Sequence, residues 1–391
     1  MSLEGRLTIA LHPRRGRAEI RSSRPLRAVR IFEGRRPREV LMQVPLLFSV
    51  CGMAQATAAV QAFRQSVRGE DATGGAADTA RRLLTRLETA REHLWRILMD
   101  WPALLGEPPD PRRAAPLQPL LRDLRRALFG DADAFALEAE ARPDGQALPG
   151  LIRRLEEILQ RLVFGCPPGQ WLRIGDGGAL VAWAGDTQTV AARLLREMVK
   201  RGWQDMGDVP GEFLPELRPA ALNRRLQARD AERFIAAPQW HDGPCETTPL
   251  ARQCGSPLIR SLRGEHGDGL LTRQAARLVE LARIPPAMRR LADGLTEAAP
   301  REVAGDALPP GVGIGQVEAA RGRLVHRVEV ADGVVRRYQI LAPTEWNFHP
   351  RGTLARALGT LRAGDEATLR RQAALLIDAV DPCVGYRLRV H

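Results

Sequence analysis

The chain has 391 residues, 44% hydrophobic and 27% charged, and its net charge of +12 is carried by arginine, since Lys200 is the one lysine. That length supports a sizeable core, and no stretch approaches the roughly 18 apolar residues of a bilayer span, so the expectation is a cytoplasmic protein without membrane insertion. Arginines without a basic run or interleaved aromatics argue against a nucleic-acid partner, and five scattered cysteines (Cys51, Cys166, Cys245, Cys254, Cys383) without a CxxC pair argue against a disulfide framework.

In chain order, Leu7–Leu11 and Ala18–Arg21 read as short strands around a turn-like stretch, His12–Arg17. From Pro37 the pattern turns helical and runs to Val67 with an interruption near Pro45, so Cys51 opens its second part. After a loop at Gly74–Asp78, apolar residues recur at three and four positions from Thr79 to Met99 (Leu83, Leu84, Leu87, Leu94, Ile97, Leu98) and predict a helix. Further helices are expected near Leu117–Phe129, Leu151–Val163 and Thr187–Arg201. Dense glycine and proline between Cys166 and Asp186 predict loops or a small hairpin, and another irregular run extends from Gln239 to about Gly269. A helical pattern over Leu270–Ala299 is interrupted at Pro285-Pro286. Alternation on both sides of Asp332-Gly333 predicts a hairpin of Leu324–Val330 and Val334–Leu341, and Asp365 is placed to cap a last helix reaching Val380. Sheet pieces at both ends of a helical middle give an α+β chain that is mainly α.

Short motifs narrow the reading. The tail Asp381-Pro382-Cys383 with the closing His391 resembles the DPCxxCxxH signature of nickel–iron hydrogenase large subunits, with Tyr386 where the second cysteine belongs and the histidine two residues further out. Glu318–His326 (EAARGRLVH) is similar to that family's EAPRGxxxH segment, and Asp332–Gly352 to its DGxIxxYQxxxPTTWNxxPR stretch. Near the start, Leu3–Leu7, Glu33–Glu39 and Ser49–Ala54 resemble EGHL, KGRDPRD and RxCGxC; Glu246–Arg252 resembles EVGPLAR. The likeness implies a single hydrogenase-large-subunit-like domain over residues 1–391. Its parts would be N-terminal strands and the Cys51 helix (1–66), a helical middle (67–300), and a C-terminal hairpin, helix and Cys383 tail (301–391), with small antiparallel sheets formed near the two ends.

The resemblance also carries chemistry. In the hydrogenase family two outer cysteines bind nickel alone, and two inner ones bridge nickel to an iron bearing carbon monoxide and cyanides. This chain keeps the outer positions, Cys51 and Cys383, and has Ala54 and Tyr386 at the bridges; Ala58 replaces a nearby family histidine. Without bridging thiolates a bimetallic centre is not expected, so neither nickel nor hydrogen turnover is. Two soft thiolates suit a low-spin iron that already carries three diatomic ligands. The start of a helix favours a thiolate at Cys51 through unpaired N–H groups and the helix dipole. Arg321 matches the arginine over the family site, and Thr344, after Pro343, the hydroxyl that donates to cyanide. Glu4 matches a glutamate that handles protons near the centre. His326 and His391 are expected to bond locally or face solvent. Cys166, Cys245 and Cys254 belong to no motif and read as structural.

The chain is therefore identified with the HupK/HoxV-type hydrogenase accessory proteins, divergent homologues of the large subunit. That implies a non-enzymatic scaffold transiently holding an Fe(CN)2CO fragment, with the iron-fragment assembly proteins and the hydrogenase large-subunit precursor as partners. The rival expectations are a metal-free chaperone of that precursor and a divergent hydrogenase-like oxidoreductase.

Overall fold

The computed structural model describes residues 5–69, 75–295 and 308–391. Among these, eight strands form three small sheets around a helical body: β1 (Leu7–His12), β2 (Arg17–Ser22), β3 (Glu212–Phe213), β4 (Cys245–Glu246), β5 (Val312–Ala319), β6 (Gly322–Ala331), β7 (Val334–Leu341) and β8 (Tyr386–Val390).

β1 alternates buried Leu7, Ile9 and Leu11 with partly exposed residues, the period of a half-buried strand. It pairs antiparallel with β2 and parallel with β8. The expected antiparallel terminal sheet is thus mixed, because the tail beyond Cys383 returns alongside β1 in the same direction. β5, β6 and β7 form an antiparallel meander. Asp332 (φ 54°) and Gly333 (φ 74°) make its second turn left-handed at both central residues, the geometry that matches strand twist.

Three helices follow the first sheet: α1 (Pro37–Leu47), α2 (Gly52–Arg68) and α3 (Ala76–Trp95). Pro45 lies inside α1, and the break falls at Phe48, three residues later than the proline implies. α2 lies against β5 at very close range. A Cβ on Gly313 would sit 1.8 Å from the Ala62 carbonyl oxygen, and one on Gly315 would sit 1.9 Å from that of Ala58. Glycine on the strand and alanine on the helix allow that approach, which gives Ala58 a packing reason for its small side chain.

Three further expectations are corrected. The Leu270–Asp293 helix runs without a break through Pro285 and Pro286; its buried length, packed against α3 and other helices, outweighs the two missing N–H donors. The glycine-rich stretch before Asp186 holds two helices, Pro168–Trp171 and Gly177–Asp186, the second capped by the Asp176 carboxylate on the Ala179 N–H. The run after Gln239 contains the helices Pro249–Gln253 and Pro257–His266. Each of these four helices begins within one residue of a proline or an Asp cap, where such residues start helices as readily as they make loops. No helix among the described residues is long and apolar enough to cross a membrane.

Candidate functional site

Five segments from both halves of the chain meet at one cavity of about 50 Å3, whose lining includes Arg24, Cys51, Gln55, Arg321, Pro343 and Cys383. The two cysteines, distant in sequence, line the same space.

Cys51 is the residue immediately before α2. The first free N–H groups of that helix do not reach its sulfur. The Glu88 carboxylate of α3 accepts from Met53 N (2.8 Å) and Ala54 N (2.9 Å) and takes the place of a cap. Burial, followed by the neighbouring Glu88 and Cys383, pushes the Cys51 thiol up to about 12, while Gln55 and Arg321 pull it down. The expected helix-favoured thiolate is thereby corrected: a carboxylate intercepts the dipole, and Cys51 is a neutral thiol. Burial also holds Glu88 itself up at about 7.

Gln55 links Cys51 to the sheet. Its Nε2 donates to the Cys51 sulfur (3.5 Å), and its Oε1 lies 2.7 Å from His326 Nε2. An amide oxygen only accepts, so His326 Nε2 carries the proton, and Nδ1 accepts from the Tyr338 hydroxyl at 2.7 Å. His326 thus lies within a hydrogen-bonded chain that ends on a cavity sulfur, with one partner distant in sequence.

Cys383 is presented by a fixed turn. Asp381 ends the last helix (Glu366–Val380) with φ 62°. Its carboxylate is held by Arg321 Nε at 3.2 Å and Arg96 Nε at 2.7 Å, while Arg96 Nη2 donates to the Pro382 carbonyl at 3.0 Å. The two guanidinium groups keep Asp381 ionised down to about 2 despite its burial. The Thr344 hydroxyl donates to the Cys383 sulfur at 2.9 Å.

Arg321, in the turn between β5 and β6, lies against the cavity, but its guanidinium is shared. Besides Asp381 it meets Glu92 at 3.2 Å, and Glu92 also pairs with Arg91 at 3.0 Å. All three nitrogens of the Arg321 guanidinium are therefore engaged by carboxylates that it shares with Arg91 and Arg96.

The sequence reading missed Arg24, Gln55, Glu88 and Glu92. Arg24 was one arginine among many in a stretch without periodicity. Its signal was indirect: Glu345, its partner, stands where the PTTWN motif has its second threonine. Glu4 lies outside the described residues. Ala54 is buried with its N–H on Glu88, and Tyr386 is an exposed residue of β8. His391 stacks on His12 with centroids 4.9 Å apart. Among the described residues, no group of three or more His, Cys, Asp or Glu side chains could hold a metal ion. Cys166, Cys245 and Cys254 lie outside the lining of the cavity.

A family model described as nickel-dependent hydrogenase matches residues 176–363. The chain is similar over 94% of its length, and over 93% of the other chain, to the Ni-Fe-Se hydrogenase of D. vulgaris Hildenborough in its reduced state, with a TM-score of 0.64 and 18% identity, a likeness of fold. It is 32% identical to the hydrogenase expression/formation protein HoxV of Cupriavidus necator, covering 99% of this chain and 95% of that protein. It is also 32% identical to the hydrogenase expression/formation protein HupK of Azotobacter vinelandii, covering 95% and 94%. With a hydrogenase large-subunit-like fold and full-length kinship at this level, the chain belongs to the HupK/HoxV family of hydrogenase expression/formation proteins.

Proposed function

We propose that this protein is an accessory scaffold in nickel–iron hydrogenase formation that carries an Fe(CN)2CO fragment as cargo on Cys51 and Cys383 and passes it to the large-subunit precursor. The observation that supports this reading is the convergence of two free cysteines, from opposite ends of the chain, on one small cavity with an arginine in its wall and a hydroxyl on one sulfur. The relatives' role in hydrogenase expression and formation supports the pathway.

The chemistry follows from ligand count. A low-spin iron with three diatomic ligands leaves about three positions of an octahedron, and two thiolates fill two of them. Loading displaces a proton from each thiol, and at Cys51 burial holds that proton firmly. Attachment by two sulfurs without bridging thiolates leaves the cargo removable, which is what a donor requires.

The test is infrared spectroscopy of the protein purified after co-expression with a complete hydrogenase maturation apparatus. Bands of metal-bound carbon monoxide and cyanide are expected, together with iron and without nickel in elemental analysis. Cys51→Ser and Cys383→Ser should each abolish the bands and leave the circular dichroism unchanged. A band-free wild-type protein that still binds the large-subunit precursor would replace this reading with that of a metal-free chaperone. Nickel in the purified protein would favour a hydrogenase-like oxidoreductase.

A further inference from the structure

We propose that Arg24, anchored by Glu345, is the cation that recognises the cargo's negative charge in the two-cysteine cavity, a binding residue that the hydrogenase motifs do not contain. This rests on the scaffold reading above.

A ferrous iron with two cyanides and two thiolates carries a net charge of −2, with carbon monoxide adding none. In a buried cavity such a charge needs a counter-cation within reach. Arg321 has few donors left for it, since its Nε donates to Asp381 and both its Nη donate to Glu92. Arg24 is the second arginine of the cavity wall. Its side chain is 15% exposed, and both Cys51 and Cys383 are close enough to act on its charge.

Its placement is built. Arg24 Nη1 donates to Glu345 Oε1 at 2.7 Å. Glu345 Oε2 accepts from Ala342 N at 3.1 Å, which caps the short helix bearing Pro343 and Thr344. The carboxylate is fixed by the same turn that sets the hydroxyl on Cys383. Among the described residues, Arg24 Nε and Nη2 have no hydrogen-bond partner, so the guanidinium keeps donors to offer to an anion. The Glu345 carboxyl is raised by burial and lowered by Arg24. Arg24 is therefore one half of a buried pair with spare donors, and its partner Glu345 stands where the large-subunit motif has threonine.

The test has two arms. In the first, wild type, Arg24→Lys, Arg24→Leu and the double variant Arg24→Leu/Glu345→Gln are purified after co-expression with the maturation apparatus. The double variant removes the buried carboxylate that Arg24→Leu leaves uncompensated. Arg24→Leu and the double variant should retain about tenfold less iron than wild type, the loss of one charge-assisted contact. Cyanide bands in whatever cargo remains should shift, and Arg24→Lys should restore part of the retention. Equal iron and unmoved bands in the folded double variant would overturn the proposal.

The second arm needs no cargo. In protein expressed without the maturation apparatus, Cys51 and Cys383 are alkylated by anionic iodoacetate and neutral iodoacetamide. Removing Arg24 should lower the iodoacetate-to-iodoacetamide rate ratio several-fold at both cysteines. An unchanged ratio means that Arg24 does not act on anions in this cavity and overturns the assignment whatever the first arm gives. A wild-type protein without infrared bands, but with the expected alkylation ratios, overturns the scaffold reading and with it Arg24 as a cargo residue, while the cation in the cavity stands.

Discussion

His326 sits at the centre of the sheet with no exposure to solvent, between the Tyr338 hydroxyl and the Gln55 amide oxygen. No carboxylate compensates for charging it, so burial pushes its ring down to about 3. Its folded value lies below the unfolded one of about 6.5, so the unfolded chain binds more protons between these limits and stability falls as pH drops through that window. The stabilising preference for the neutral ring is complete above pH 6.5 and is lost progressively below it. From pH 7 to pH 5 the loss should be about 2 kcal/mol. Urea unfolding at the two pH values should show that excess loss in the wild type relative to His326→Gln, which has no titrating ring. Parallel behaviour of the two proteins would mean that His326 is not the controlling group. Gln55 connects this ring to the Cys51 sulfur of the cavity. Little of this was legible beforehand: a histidine in a strand pattern reads as locally bonded, but its partners came from positions 55 and 338.

At the level of elements, the contact between α2 and β5 decides where Cys51 stands. Gly313 and Gly315 alternate on the strand, Ala58 and Ala62 are one helical turn apart, and the backbones meet where no Cβ fits. Gly315→Ala would drive a methyl group into the Ala58 carbonyl, and neither element can yield without moving α2 and its N-terminal cysteine. The expected cost is about 2–3 kcal/mol, at the upper end for overpacking, with iron loading lost well before the fold. Thermal unfolding together with iron analysis would check this, and a variant that is fully stable and fully loaded would contradict the tight-contact account. The helices whose apolar residues recur at three and four positions were legible, because one buried face imposes that spacing. β5 was not, since glycine-rich Val312–Ala319 looks like a weak strand until a helix packs on it. Pro285 and Pro286 misled in the opposite direction, because local propensity gives way to burial on several sides.

For the whole molecule, the arrangement that matters is the return of the tail to the start. β8 pairs with β1, Leu7 N donates to the Gly385 carbonyl at 3.0 Å, and His391 N donates to that of Leu11 at 3.0 Å. Arg96 and Arg321 clamp Asp381 from within. Cys383 is held between these two attachments. Deleting Tyr386–His391 leaves Cys383 in the chain but removes the outer one, and frees the β1 edge. Iron retention should fall sharply, and limited proteolysis should cut near residue 381; unchanged retention would place the whole hold on the Asp381 clamp. The motifs around Cys51, Arg321, Thr344 and Cys383 were sufficient to indicate the family and the fold class, because each is a short run of residue types readable in isolation. What the linear order could not contain was the state of those groups. That the Cys51 thiol is pushed up, that the Arg321 nitrogens are already engaged and that Arg24 retains spare donors depend on Glu88, Glu92, Asp381 and Glu345 brought close from other segments. Electrostatic interaction in a buried site is set by distance in space, which only the folded chain determines.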